Sequence, residues 1–218
     1  MILMRLTISL VMTMKINLEK ENQALISIIQ NPNQVITLDA NFLLAPDRRP
    51  ITERGIKFEK FKKIWLDPIF SYFSSLAVHE AVYEELVDIA PREYVDVKLR
   101  SVPPEIIMHK DSSLTEVENY LRDAIETKIF THTKYEPLID NKDDRGEVKS
   151  LSYIAAKGLL YFAANDYNAI QLIEKSEEWS TGLDNIQAIK MYELIYFLYS
   201  NNLADKKAMK MLYNLSSR

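Results

Sequence analysis

Two short apolar runs in this chain each end in an aspartate. "VITLD" delivers Asp39 and "LLYFAAND" delivers Asp166. Both runs have the length and composition of a buried strand. If the two strands are neighbours in a parallel sheet, both acids stand beyond its carboxyl edge, where open α/β sheets carry their sites. Two carboxylates held there repel unless a cation lies between them. Oxygen ligands of this kind suit Mg²⁺ or Mn²⁺. Further carboxylates are at hand in Glu85 of "VYEELV" and in Asp144 and Glu147 of "NKDDRGEVKSL". A divalent ion on such acids polarises a phosphate and lowers the pKa of its bound water. The chemistry to expect is phosphodiester hydrolysis.

Those acids need a scaffold, and the chain reads as one. Residues 16–30 have helical spacing and stop at "NPN"; the Asp39 strand follows. Residues 46–63 predict a loop entering a helix that runs toward Phe73, with a break near Pro68. "SLAV" predicts a strand and "HEAVYEELVDIA" a helix ending before Pro91. "EYVDVKLRSVPPEIIMHK" alternates on both sides of its prolines and reads as a hairpin or extended excursion. "SLTEVENYLRDAIETKIF" is the clearest helix, with Leu114, Val117, Leu121, Ile125 and Ile129 on one face and "SLTE" or "TEVE" as a cap. "EVKSLSYIAAK" is a helix closed by Gly158. Beyond the Asp166 strand lie helices "NAIQLIEK" and "KMYELIYFLYSNN", with "NIQAI" a strand between them. Asn202 is a plausible cap for the last helix, "ADKKAMKMLYNL". Strands alternating with helices indicate an α/β domain with a largely parallel sheet.

Composition narrows the classes. The 218 residues can bury one sizeable core, and a net charge of −4 leaves any nucleic-acid contact to a local basic patch. One such patch exists. Arg48, Arg49, Arg54, Lys57, Lys60, Lys62 and Lys63 stand against only Glu53 and Glu59. Starting beside the Asp39 strand, it could track phosphates. The other reading is a solvated helix face with Phe58, Phe61 and Trp65 packed inward. There is no cysteine, which excludes disulfides, thiolate metal sites and a cysteine nucleophile, and fits a reducing, cytoplasmic setting. No P-loop or dinucleotide fingerprint is present. The opening "MILMRLTISLVMTMK" is too short to span a bilayer and a poor signal peptide, so residues 1–13 read as an overlong start ahead of Met14.

The stretches "ITLDANFLL", "AVYEEL", "DDRGEVKSLSYIAA" and "LLYFAANDYNAI" occur in the order found in PIN-domain ribonucleases, and the chain resembles that family over roughly residues 34–200. The resemblance implies a PIN-like three-layer α/β/α sandwich with a central, mostly parallel sheet. Insertions would fall at about 46–72 and 91–137, with an N-terminal extension and helix over 1–33 and a C-terminal helix over 201–218. It also implies a metal-dependent endoribonuclease in which Asp39, Glu85, Glu147 and Asp166 hold Mg²⁺ or Mn²⁺, with Asp144 as a fifth acid. Asn41 would support the first aspartate, and Arg48, Arg49, Arg54 and Lys57 would meet RNA. The partners implied are RNA and a second copy or an antitoxin-like protein. One departure is Ala164, where the family often has Ser or Thr; Asn165 partly substitutes.

Each acid has a plainer reading beside this one. Asp144 and Glu147 can be an N-cap and the third residue of a capping box. Asp39 can be satisfied by the turn that follows it. Glu85 can lie on a solvated face with Glu80 and Glu84, with Glu84 the rival ligand. His79, His109 and His132 lack metal-ligand spacing and read as surface or capping residues. Tyr192, Tyr196 and Tyr199 have helical spacing and read as core before base-stacking platform. Two other functions stay open: a PIN-like module that binds without cutting, and a phosphatase using Asp39 as nucleophile. The latter chemistry wants a second Asp at position 41, which is Asn.

Overall fold

A computed structural model describes residues 23–31, 33–45 and 56–216. Its five strands are β1 (Ile36–Leu38), β2 (Leu76–His79), β3 (Ile106–His109), β4 (Tyr161–Ala164) and β5 (Gln187–Lys190). They form one all-parallel sheet in the order β3-β2-β1-β4-β5. The chain steps outward from β1 to β3, then returns to the other side of β1. The strand order therefore reverses between β1 and β4, the two strands that lead into Asp39 and Asp166.

Helices cover both faces, giving a three-layer α/β/α sandwich. Period-two alternation decides which face each residue serves. Ile36, Leu38, Leu76, Val78, Tyr161, Ala163 and Ile189 enter one apolar cluster. It also takes α1 (Gln23–Gln30), the helical run 58–72 called α3, α10 (Met191–Ser200) and α11 (Lys206–Ser216). Phe162, Ala164 and Ala188 enter the second cluster, with α6 (Glu116–Ile129), α7 (Arg145–Ala156), α8 (Tyr167–Glu174) and the short α9 (Ser176–Trp179). By the same alternation Thr37, Asp39, His79 and His109 belong to the face that α7 covers. Each polar strand residue is thereby committed to that side.

Several local expectations hold. Thr115 and Glu118 make a reciprocal capping box on α6. Gly158 follows α7 with φ +66, a conformation suited to glycine. Phe61 and Trp65 are fully buried. Others are corrected. Pro91 does not end a helix: α4 (Glu80–Glu85) stops earlier, and Pro91 lies in the first turn of α5 (Ile89–Arg100), where a missing N–H costs nothing. The hairpin expected over 93–110 is the body of α5 followed by the parallel edge strand β3. The helix through Pro68 is not broken there; it widens into a π turn over Lys62–Leu66 immediately upstream. On α6, Ile125 and Ile129 are buried while Val117 and Leu121 face solvent. Asp205, not Asn202, caps α11 by accepting from the Ala208 N–H at 2.7 Å. Tyr192 and Tyr196 are exposed rather than core. Among the described residues no helix is long and apolar enough to cross a membrane.

Candidate active site at the carboxyl edge

Asp39 is the first residue past β1 and is completely buried. Its N–H donates to the Ala163 carbonyl of β4, so the sheet ladder fixes its backbone. Its Oδ2 accepts from the Asn41 N–H at 3.3 Å, capping the short helix α2 (Ala40–Leu43). Oδ1 is buried with no hydrogen-bond partner. Turn satisfaction therefore accounts for half of this carboxylate and leaves the other half open. Asp166 sits at the equivalent place after β4, where its Oδ1 accepts from the Asn168 N–H (2.7 Å) and the Ala169 N–H (3.3 Å) at the start of α8. Asn165, between Ala164 and Asp166, is half-buried.

Glu85 comes from the last turn of α4. Its Oε1 accepts from the Gly146 N–H at 2.7 Å, at the N-terminus of α7. This carboxylate fills the place a side chain at 146 would take: a Cβ there would lie 2.6 Å from Oε1. Glycine at 146 is thus what lets Glu85 reach the helix end. The rival, Glu84, is exposed and pairs with Arg145 at 2.8 Å, and Arg145 also binds Asp140 at 3.0 Å. The pair Arg145–Glu84 pins α7 to α4 on the solvent side of Glu85.

Asp144 occupies the N-cap position of α7, but it does not cap. It takes a left-handed conformation (φ 54), and its Oδ2 accepts from the Lys134 N–H at 2.9 Å, closing the preceding loop. The capping-box reading is therefore corrected. The helix end is capped from another element, by Glu85. Glu147 is half-buried in the first turn of α7.

Electrostatics show that these acids share one space. Burial pushes the Asp39 carboxyl up to about 7, and the charges of Glu85 and Asp166 add to the rise. Burial raises Glu147 to about 8, reinforced by Asp39, Asp144 and Asp166. Asp39 and Glu147 between them thus sense the charges of all three other predicted acids. A cleft of about 450 Å³ opens beside them, lined by Asn41, Glu85, Lys142 and Arg145 among others. Of the predicted phosphate contacts, Lys57 is exposed, while Arg48, Arg49 and Arg54 lie outside the described residues.

A second polar cluster, not anticipated from the sequence, occupies the ends of β2 and β3. His79 and His109 are buried, correcting their placement on the surface. Donor atoms of His79, Glu80 and Asp111 lie within 4.8 Å of one another, so this group could bind a metal ion. It is the one such group of three among the described residues. Its hydrogen bonds set a condition. His79 Nδ1 accepts from the Ala81 N–H at 3.2 Å, capping α4 as expected of a capping histidine. The neutral ring then carries its proton on Nε2, which faces Asp111 Oδ1 at 3.3 Å. An ion on Nε2 would have to displace that proton and share Asp111 with Arg122, 3.9 Å away. Glu80 Oε1 is already taken by the Asp111 N–H at 2.8 Å. The signal for this cluster was present: "LAVHE" and "IIMHKD" are both strand ends, and the second was hidden by reading β3 as a hairpin.

Comparison of the chain with protein-family models, with curated proteins and with solved structures finds no match to any of them.

Proposed function

We propose that this protein is a metal-dependent endoribonuclease of PIN type, acting in the cytoplasm. One observation carries the reading: Asp39 Oδ1 is buried without a donor in a space whose other members are carboxylates. That arrangement fits a hard divalent ion, Mg²⁺ or Mn²⁺, and fits no ligand of negative charge. Asp39, Glu85, Glu147 and Asp166 would hold it, with Asp144 at the edge. When bound, such an ion supplies Lewis acidity toward the phosphate and a water acidic enough to attack it.

The chain's own residues set the rest. The Asn41 N–H and the first turn of α8 fix one oxygen each of Asp39 and Asp166, leaving the remaining oxygens for ligation. The Gly146 N–H orients Glu85 in the same manner. Glu147 retains its proton near neutrality until a positive charge draws it off. Of the two cations lining the cleft, Arg145 is engaged by Glu84 and Asp140, so Lys142 is the one to meet an RNA phosphate.

The test is cleavage of single-stranded RNA with Mn²⁺, with Mg²⁺ and with chelator. Asp39→Asn and Asp166→Asn should each lose activity by about a hundredfold or more. Wild-type activity in both variants would remove the assignment. A non-cutting RNA- or protein-binding module is the second reading. It is favoured by the fact that the carboxyl-edge acids do not gather three donors within 4.8 Å as His79, Glu80 and Asp111 do. Binding without turnover in any divalent ion selects it. A phospho-aspartate trapped at Asp39 would select the phosphatase chemistry instead, against the handicap of Asn41.

A further inference from the structure

The tyrosines of α10 are the residues whose surroundings differ most from expectation. Tyr192 and Tyr196 stand four apart on one helix face and are 45% and 49% exposed. Tyr196 and Tyr199 then join Tyr213, Met209 and Lys210 of α11 in lining an open groove of about 330 Å³. Tyr213 is 48% exposed. Buried tyrosines in a helix pair are ordinary; a row of aromatic faces left to water is a binding surface in waiting.

Charge says what would cover it. Lys206 and Lys210 place their ammonium groups 5.4 and 5.9 Å from the Tyr199 ring centre. Lys206, Lys207 and Lys210 are exposed, and α11 contains no acid. The two acids nearest in sequence are occupied: Glu193 accepts from the Lys190 N–H and Asp205 from the Ala208 N–H. Aromatic faces interleaved with lysines, in a chain of net charge −4, match bases and phosphates better than an apolar protein partner. The groove also has a direction. α10 begins where β5 ends, and β5 pairs with β4, the strand that leads to Asp166. Tyr192 lies in the first turn of α10, at the carboxyl edge, and Tyr196 and Tyr199 lead away from it.

We propose that the tyrosine-lined groove between α10 and α11, with Lys210 in its wall, binds the bases and phosphates of single-stranded RNA beyond the cleavage site. The choice of RNA rests on the nuclease reading; the stacking surface does not depend on cleavage. The experiment is fluorescence anisotropy of a labelled oligouridylate with the full chain in chelator, where nothing is cut. The double substitution Tyr196→Ala with Tyr213→Ala should weaken binding about tenfold or more. Tyr196→Phe, which keeps the ring face, should bind like wild type. Lys210→Ala should lower the slope of log affinity against log salt by about one. Circular dichroism of the double variant checks its fold. Unchanged affinity in the folded double variant overturns the inference, as does failure of the wild type to bind. So does loss of self-association, by sedimentation, with RNA affinity intact, which would make the groove a protein contact. Because binding is read without turnover, inactivity of the wild type toward RNA would remove the nuclease reading and leave this result standing.

Discussion

The α7-covered face of the sheet carries two buried polar clusters, and they are built on opposite principles. Over β2 and β3, charges alternate. His79 meets Asp111, Arg122 reaches Asp111 and Glu126, and Glu126 is held at 2.9 Å by Arg122 and at 3.0 Å by Lys149 of α7. Over β1 and β4 the charges have one sign. The charges of Glu85 and Asp166 help raise Asp39, those of Asp39, Asp144 and Asp166 help raise Glu147, and one oxygen of Asp39 has no hydrogen-bond partner. Burial is severe in both places, so burial alone does not distinguish them. Completeness does. The first cluster carries its own counter-charges. The second is short of positive charge, the deficit that the proposed divalent ion would make good.

The largest consequence falls on the balanced cluster. Glu126→Ala removes the one carboxylate that both Arg122 and Lys149 bind, leaving two half-buried cations without it. A loss of about 3 kcal/mol in urea unfolding is expected, as for other broken buried ion pairs. RNA cleavage by the surviving folded fraction should not change. A loss below about 1 kcal/mol would mean that this cluster is solvated rather than self-sufficient, and the contrast would fail.

The acidic cluster should respond with the opposite sign. Asp39 titrates at about 7 in the folded chain against an ordinary 3.8, and Glu147 at about 8 against 4.5. Both are raised, so folding takes up protons. The stability they contribute is complete below about pH 4 and is lost as pH rises through about 7 to 8. Without divalent ions the wild type should therefore unfold more easily at about pH 8 than at about pH 5. Asp39→Asn should gain about 2 kcal/mol on the wild type over that interval. Mn²⁺ at the higher pH should raise the melting temperature of the wild type and of Asp111→Asn, but not of Asp39→Asn. The reverse pattern would assign the ion to His79, Glu80 and Asp111.

Much of this was legible from the chain, for reasons that also explain what was not. Asp39 and Asp166 could be found because a buried strand announces itself by composition and its last residue has only one place to go. β4 and β1 are such strands. β3 is an edge strand with Ile107 exposed, so its pattern resembled a hairpin, and the His109–Asp111 strand end was lost with it. Pro91 misled because a proline in a first turn looks the same in sequence as one that ends a helix. Asp144 misled for a related reason. Its spacing to Glu147 fits a capping box, but no spacing rule can see that Glu85, sixty-one residues before Gly146, already holds the helix end. Tyr192 and Tyr196 had helical period without inward direction. Period tells which residues share a face, not whether that face is covered.

The smallest expected change in stability gives the sharpest statement about the acidic site. Gly146→Ala puts a methyl group 2.6 Å from Glu85 Oε1. The obstacle is the end of a flexible side chain, so the backbone need not move and Glu85 swings aside instead. Alanine also favours the helix over glycine by about 1 kcal/mol, which offsets the lost hydrogen bond from the Gly146 N–H. Unfolding should therefore shift by less than about 1 kcal/mol in either direction. Cleavage should fall about tenfold, because a carboxylate displaced by about 1 Å no longer meets its ligand. Glu85→Gln separates the two roles of this residue: its amide oxygen can still accept from the Gly146 N–H, while its charge is gone. If Gly146→Ala cuts RNA like the wild type while Asp39→Asn does not, Glu85 is a helix cap alone, and the ion belongs to Asp39, Glu147 and Asp166.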